Sequence, residues 1–172
     1  MNKRNVCVHL YGSMVSENSE GFQIFNDKQT QLEYQRLAAS SHNTFLHSFI
    51  SPEKFTSEWS KYDVGFMHAS VSSSHPSAKF EEINLPYRYS AYLCAGLPIC
   101  VPNIGQSAMK RFIRENNIGF SFKNYDELSE ILHDRLFLKS CNERIIKNRR
   151  EFSFEFSANK LVEILSKYSL KA

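Results

Sequence analysis

The sequence is poor in glycine and lacks the glycine-rich motifs that identify many nucleotide-binding domains. Glycine occupies only 6 of the 172 positions. No GxGxxG follows the first apolar run and no GxxxxGK[ST] occurs anywhere, which argues against a dinucleotide fingerprint and against a P-loop. GxSxG is also absent, so the nucleophile elbow of a hydrolase is not indicated.

Cysteines and long apolar runs are equally scarce. The cysteines form no CxxC pair, and none lies beside histidine at metal-ligand spacing, so we expect reduced thiols and no metal site. They are Cys7, Cys94, Cys100 and Cys141. No apolar run reaches about 18 residues, so no membrane-spanning helix is predicted. Residues 1–10 contain no long apolar core, so no signal peptide is predicted and we expect a cytoplasmic protein.

The composition is that of a globular protein. Hydrophobic residues make up 42% of the chain and charged residues 23%, and this length suits one domain spanning residues 1–172. The net charge of +3 fits anionic small molecules as well as nucleic acid, so it decides little. We expect no nucleic-acid partner.

Short apolar runs alternate with amphipathic segments along the chain. The pattern predicts strands at residues 6–11, 44–49, 63–68, 98–101 and 119–122. It predicts helices at residues 29–39, 51–62, 84–95, 106–116, 125–138, 142–150 and 154–167. Such alternation indicates βαβ units with right-handed crossovers. The predicted fold is therefore α/β, a doubly wound parallel sheet of about five strands with helices on both faces.

In such a sheet, ligands bind beyond the carboxyl ends of the strands. His68 ends a predicted strand there, and Ser70 and Ser72 in the following loop could donate hydrogen bonds to phosphate. The next helix is predicted to start at Asn84 as its N-cap, where free backbone N–H groups favour an anion. Arg88, one turn further, would add a guanidinium to this site. The alternatives are a solvated or salt-bridged Arg88, a packed or solvent-facing His68 and a flexible serine loop.

The segment LPYRYSAYLCAGLPICVPN resembles the "P-x-K/R-x-x-E-Y-x-A-x-G-x-P-V-I" segment in the carboxyl-terminal domain of GT-B glycosyltransferases. HLYG and SFISPEKFTSEWSKYDVGFMHAS upstream, and ENNIGFSFKNYDELSEIL downstream, are similar to further parts of that domain in the same order. The similarity covers roughly residues 6–165. Each motif alone is weak, and the specificity of the match comes from their order.

The resemblance implies a Rossmann-like domain that forms the carboxyl-terminal half of a two-domain enzyme. This half would bind the nucleotide-sugar donor, and a separate amino-terminal Rossmann-like domain would hold the acceptor. The implied reaction moves a hexose, with retention, to a saccharide or lipid-linked acceptor. No cofactor is expected beyond the donor itself, and the isolated chain is expected to be inactive.

The resemblance also implies roles for individual residues. Arg88 matches the family's basic residue near the diphosphate, and Glu82 lies beside the position of its sugar-contacting acid, so these two are the predicted catalytic residues. The predicted donor-binding residues are His68, Ser70, Ser72, Asn84, Leu85 and Arg88. Ala91 stands where the family usually has the carboxylate that holds the ribose hydroxyls, and alanine cannot accept that hydrogen bond.

Three alternatives follow from these observations. Ala91 favours a degenerate, non-catalytic partner or scaffold domain of the same fold. A sugar-nucleotide epimerase would share the architecture, but its acid–base residues are not identifiable. The basic run could make a peripheral contact with anionic lipid at the inner membrane face, or it could be a solvated helix face. That run consists of Arg144, Lys147, Arg149 and Arg150.

Overall fold

The structure is a computed structural model that describes residues 6–14, 28–68 and 78–169. The chain divides into two compact units, residues 1–54 and residues 55–172. The sequence-based expectation of one domain stays a prediction.

The first unit contains a two-stranded parallel sheet. Strand β1 (Val8–Met14) pairs with β2 (Thr44–Ser48), and helix α1 (Lys28–Ser40) connects them. Aromatic rings stack across the pair, with His9 on Phe45 at 4.7 Å and Tyr11 on His47 at 4.5 Å between ring centroids. The strands are therefore joined by ring contacts as well as by the ladder. A short 3-10 helix, Pro52–Lys54, ends the unit.

The second unit contains a three-stranded parallel sheet in the order β3-β4-β5. Its strands are β3 (Gly65–Phe66), β4 (Ile99–Pro102) and β5 (Gly119–Phe122). Its α-helices, in chain order, are α2 (Phe55–Trp59), α3 (Ala78–Ile83), α4 (Arg88–Cys94), α5 (Ser107–Asn116), α6 (Tyr125–His133), α7 (Arg135–Lys147) and α8 (Phe154–Ser169). A 3-10 helix, Arg149–Phe152, joins α7 to α8.

The core of this unit forms on both faces of β4, because side chains alternate along a strand. Ile99 and Val101 belong to a cluster contributed mainly by α4, α5 and α7. Cys100 faces the other way, in a cluster with side chains of β5, α6 and α7. The first cluster also contains Met67, Leu93, Met109, Ile113, Ile118 and Ile145, and the second contains Phe120, Phe122, Leu128 and Leu138. Helices thus pack on both faces of the three-stranded sheet.

The positions of the five predicted strands are confirmed to within a few residues, and both sheets are parallel as expected. The fold is mixed α/β. The strands hydrogen-bond as a pair and a triplet, so the single five-stranded doubly wound sheet remains a prediction. Among the described helices, none is long and apolar enough to cross a membrane.

The helix predicted over residues 84–95 is wrong at its start. Helix α4 begins at Arg88, with Tyr87 at the N-cap position and no side-chain capping bond, so Asn84 is not the N-cap. The N–H of Asn84 instead donates to the carbonyl of Phe80 at 2.9 Å and closes α3. Pro86 explains the break, because the residue before a proline is disfavoured in helical conformation.

The helix predicted over residues 125–138 is divided. Helix α6 ends at His133, and the carboxylate of Asp134 accepts the backbone N–H of Phe137 at 2.9 Å, which caps the start of α7. An aspartate in this position satisfies an N–H group that the helix itself leaves unpaired. The helix predicted over residues 142–150 consequently corresponds to the second part of α7, which runs from Arg135 to Lys147, and to the start of the 3-10 helix that follows.

Candidate functional site

A cavity of about 320 Å³ lies where β3 and β4 end, in the second unit. This is the edge of a parallel sheet at which ligands are expected. The residues that line it come from the segment after β3, from α3 and the turn before α4, from α4 itself, and from the loop after β4. They are Met67, His68, Phe80, Asn84, Pro86, Arg88 and Gln106.

Arg88 and His68 are in direct contact at this cavity. A terminal guanidinium nitrogen of Arg88 lies 2.9 Å from Nδ1 of His68. Because a guanidinium only donates hydrogen bonds, Nδ1 of His68 is the acceptor and the ring proton is on Nε2. Arg88 is the first residue of α4 and is exposed, and its planar group carries further N–H donors. The pair therefore presents a fixed positive charge beside a neutral imidazole.

Gln106 is a buried residue that lines the cavity and hydrogen-bonds to the backbone of His68. Its side chain is only 4% exposed, and its amide nitrogen donates to the carbonyl of His68. The backbone of Gln106 is left-handed, with φ 52° and ψ 44°, a conformation that few non-glycine residues adopt. The side-chain oxygen Oε1 is buried and has no hydrogen-bond partner among the described residues. Gln106 thus joins the segment after β3 to the loop after β4.

Glu82 is placed at the start of α5 and not in the cavity. Its carboxylate accepts the backbone N–H of Ser107, the first residue of that helix, at 3.1 Å. Hydrogen bonds from the side chain and then the backbone of Ser107, with the nearby charge of Lys110, lower the pKa of Glu82. The carboxylate is therefore ionised at neutral pH. It lines a neighbouring, larger groove.

The other predicted site residues have different outcomes. Asn84 lines the cavity, together with His68 and Arg88. Leu85 is 37% exposed and is not among the described residues that line the cavity. Ser70 and Ser72 lie outside the described residues. Ala91 is 7% exposed, so its methyl group is packed inside the protein.

The rule that ligands bind beyond the carboxyl ends of strands also covers the loop after β4, but no side chain in that loop was predicted. Gln106 is the residue that was missed, and its contact with His68 joins positions 38 apart in the chain. No local pattern in the sequence indicates this contact, because it depends on packing between segments that are distant in the chain. Among the described residues, no group of three or more His, Cys, Asp or Glu side chains is placed to hold a metal ion.

A family model described as glucosyltransferase 3-like, C-terminal domain, matches residues 8–154. The chain belongs to this family. The match includes both described sheets and every residue that lines the cavity. The chain is therefore, at the level of the family, a glycosyltransferase-type carboxyl-terminal domain.

A curated relative of this glucosyltransferase 3-like chain is Glucosyltransferase 3 from Streptococcus gordonii. The two are 26% identical over 112 residues, which is 65% of this chain and 32% of the relative. The aligned part thus spans about a third of the length of the relative.

Proposed function

We propose that the chain is the donor-binding half of a GT-B glycosyltransferase, with a Rossmann-like fold and a site for a nucleoside diphosphate sugar. The enzyme would move a hexose, with glucose favoured by the relative's name, to a saccharide or lipid-linked acceptor. An amino-terminal Rossmann-like domain would hold that acceptor. We expect the protein to work in the cytoplasm.

The observation that carries the proposal is the contact of Arg88 with His68 at 2.9 Å, beside a cavity at the ends of β3 and β4. A guanidinium matches the geometry of phosphate oxygens and can hold two of them at once. His68 orients this group, and Gln106 fixes the backbone of His68. Together they form a prepared place for a diphosphate.

In this proposal, catalysis is mainly electrostatic. As the bond from the sugar to the diphosphate breaks, negative charge grows on the departing oxygen, and the guanidinium of Arg88 stabilises it. Such stabilisation requires no covalent chemistry from the protein. Retention of configuration rests on the family resemblance.

Glu82 suits a different role from that of a proton donor. Because the hydrogen bonds from Ser107 lower its pKa, it is ionised at neutral pH and can only accept hydrogen bonds. Hydroxyl groups of a sugar are donors of the right kind. Glu82 therefore contacts the sugar in this proposal, from its place at the start of α5.

A second candidate function is a partner or scaffold domain that has lost nucleotide binding. Ala91 favours it, because this position is 7% exposed and supplies a methyl group where the resemblance leads one to expect a carboxylate. An alanine there cannot hold the ribose hydroxyls.

Calorimetric titration of the chain with UDP, GDP, ADP and UDP-glucose separates the two functions. We expect one diphosphate to bind, and Arg88→Ala to weaken that binding about 10- to 100-fold, as is typical of lost hydrogen bonds to charged groups. Lys139→Ala, which removes an exposed positive charge from α7, is the matched control and should bind as the unmodified chain does. If none of the four ligands binds, the result would favour the partner or scaffold function.

The acceptor domain is tested by an activity measurement. The isolated chain should transfer no sugar from any of the nucleotide sugars, because half of the proposed cleft belongs to another domain. Measurable transfer by this chain alone would contradict the two-domain proposal.

A further inference from the structure

A second and larger opening lies at the outer edge of the three-stranded sheet. It has a volume of about 1270 Å³ and runs along β5 between α5 and α7. We call it the β5 groove. Its charged lining comprises five basic and two acidic side chains: Lys110, Arg111, Arg114, Arg144 and Lys147, with Glu82 and Glu143. The groove therefore carries an excess of positive charge.

The floor of the β5 groove is an open strand edge. The carbonyls of Ile118 and Phe122 accept N–H groups from the β4 side, from Ile99 at 3.0 Å and Asn103 at 2.7 Å. Because backbone groups alternate in direction along a strand, those of Gly119 and Ser121 point away from β4. Within the described part of the second unit, residues 55–68 and 78–169, no hydrogen bond is made to these outward groups. Such an edge can pair with another strand.

The positive charges in the β5 groove are more available than the negative ones. Glu82 is held by Ser107, and Glu143 faces Lys139 at 3.7 Å. Arg111 and Arg114 are exposed, and no ion pair joins either of them to a carboxylate within the described part of the chain. An incoming acidic group would therefore find unpaired guanidinium partners along α5.

We propose that the β5 groove binds an extended, acidic polypeptide segment of a partner protein, which adds to β5 as a further strand. Main-chain hydrogen bonds to Gly119 and Ser121 would align the segment, and its acidic side chains would face the basic walls. The charge of the groove selects acidic over basic segments. This inference does not depend on the proposed donor site.

The shape of the groove favours a peptide over a lipid surface. Arg144 and Lys147 of the basic run line the groove, opposite the basic residues of α5, whereas Arg149 and Arg150 are not among the described residues that line it. A bilayer would need these charges on one outward surface. A concave channel with helices on two sides and a strand at its base fits an extended chain better.

Fluorescence anisotropy with a labelled peptide of alternating Glu and Val tests the proposal. The peptide should bind the full chain, and a peptide of alternating Lys and Val should not. The Glu-Val peptide methylated on alternate backbone nitrogens should bind several-fold more weakly, because strand pairing needs those N–H groups. Phosphatidylserine vesicles are tested in parallel.

Two variants address the two parts of the groove. Arg111→Glu with Arg114→Glu should weaken binding of the Glu-Val peptide about tenfold, as for the loss of two exposed charge pairs. Ser121→Pro removes an N–H that makes no bond to β4 and should weaken binding about 2- to 10-fold. Ser121→Ala and Arg150→Glu are the matched controls and should bind normally. The far-UV circular dichroism spectrum and a cooperative thermal unfolding transition should be unchanged for Ser121→Pro, which shows that the variant is folded.

Three results would overturn the proposal. Equal binding of the Lys-Val and Glu-Val peptides would remove the role of charge. Normal binding by Ser121→Pro and by the methylated peptide would remove the role of the strand edge. Binding of the vesicles but not of the peptide, with loss in Arg150→Glu, would assign the basic residues to a membrane contact instead.

Discussion

Replacement of Gly65 by alanine should displace the ring of Tyr92. A Cβ atom added at Gly65 would lie 2.8 Å from Cδ1 of Tyr92 and closer still to two other ring carbons. No real side chain tolerates such contacts, so the ring must move. Tyr92 also donates its hydroxyl to the carbonyl of Phe66 at 3.1 Å. One methyl group therefore disturbs both the packing and the hydrogen bond that α4 makes with β3.

The expected decrease in the free energy of unfolding of Gly65→Ala is the sum of these two effects. Forcing extra volume into packed structure typically costs about 1–3 kcal/mol. Loss of a hydrogen bond between the Tyr92 hydroxyl and Phe66 adds about 0.5–1.5 kcal/mol. We expect Gly65→Ala to lower the free energy of unfolding by about 2–4 kcal/mol, the sum of these ranges without their extremes. Tyr92→Phe, which removes only the hydroxyl, should cost about 1 kcal/mol.

Urea unfolding of single and double variants measures this coupling. In a Tyr92→Ala background the Cγ and the ring carbons are absent, so Gly65→Ala should cost less than about 1 kcal/mol, a coupling that a double-mutant cycle detects between residues in contact. If Gly65→Ala costs the same in both backgrounds, the ring is not the source of the effect. A cost below about 0.5 kcal/mol in the unmodified chain would refute the close approach itself.

Three further predictions concern the core, one carboxylate and the thiols. Ile99→Ala, at a site that is 0% exposed, should cost about 2–5 kcal/mol in urea unfolding, whereas Leu136→Ala, at 81% exposed, should stay within about 0.5 kcal/mol. Hydrogen bonding lowers the pKa of Glu82 in the folded state. The ionised carboxylate therefore contributes its full stabilisation of the fold above the unfolded-state pKa of about 4.3, and this contribution is lost as the pH falls through the folded-state pKa. Glu82→Gln should therefore lower Tm at neutral pH and leave little difference in strong acid; an equal difference at both would contradict this. Burial raises the pKa of Cys100 to about 12, so iodoacetamide should label exposed Cys94 in the native chain and Cys100 only in urea, as mass spectrometry would show.

The strands were predictable because they are short apolar runs with clear boundaries. Residues Ile99 to Val101 are buried on both faces of the sheet, as a fully apolar run between two prolines indicates. The start of α4 was predicted at Asn84 and not at Arg88 because Pro86 is also acceptable in the first turn of a helix. Local sequence could not decide between these readings, and the pairing of Asn84 with Phe80 decided them in the fold.

The candidate site was predictable in its place and only partly in its members. The rule about strand ends selected His68 and the start of the following helix, and Arg88 and Asn84 line the same cavity. The side chain of Gln106 was out of reach, because its burial depends on packing between segments that are distant in sequence. The place of Glu82 at the start of α5 depends on α3, which the sequence did not reveal.

The side-chain amide of Gln106 donates a hydrogen bond to the carbonyl of His68, and this bond connects the loop after β4 to the segment after β3. A designer who wishes to reshape the loop after β3 for a different ligand must therefore treat position 106 as part of that loop. A change to the loop or to position 106 alone would leave a buried polar group without its hydrogen-bond partner. The free energy of unfolding would then fall before any new ligand selectivity was gained.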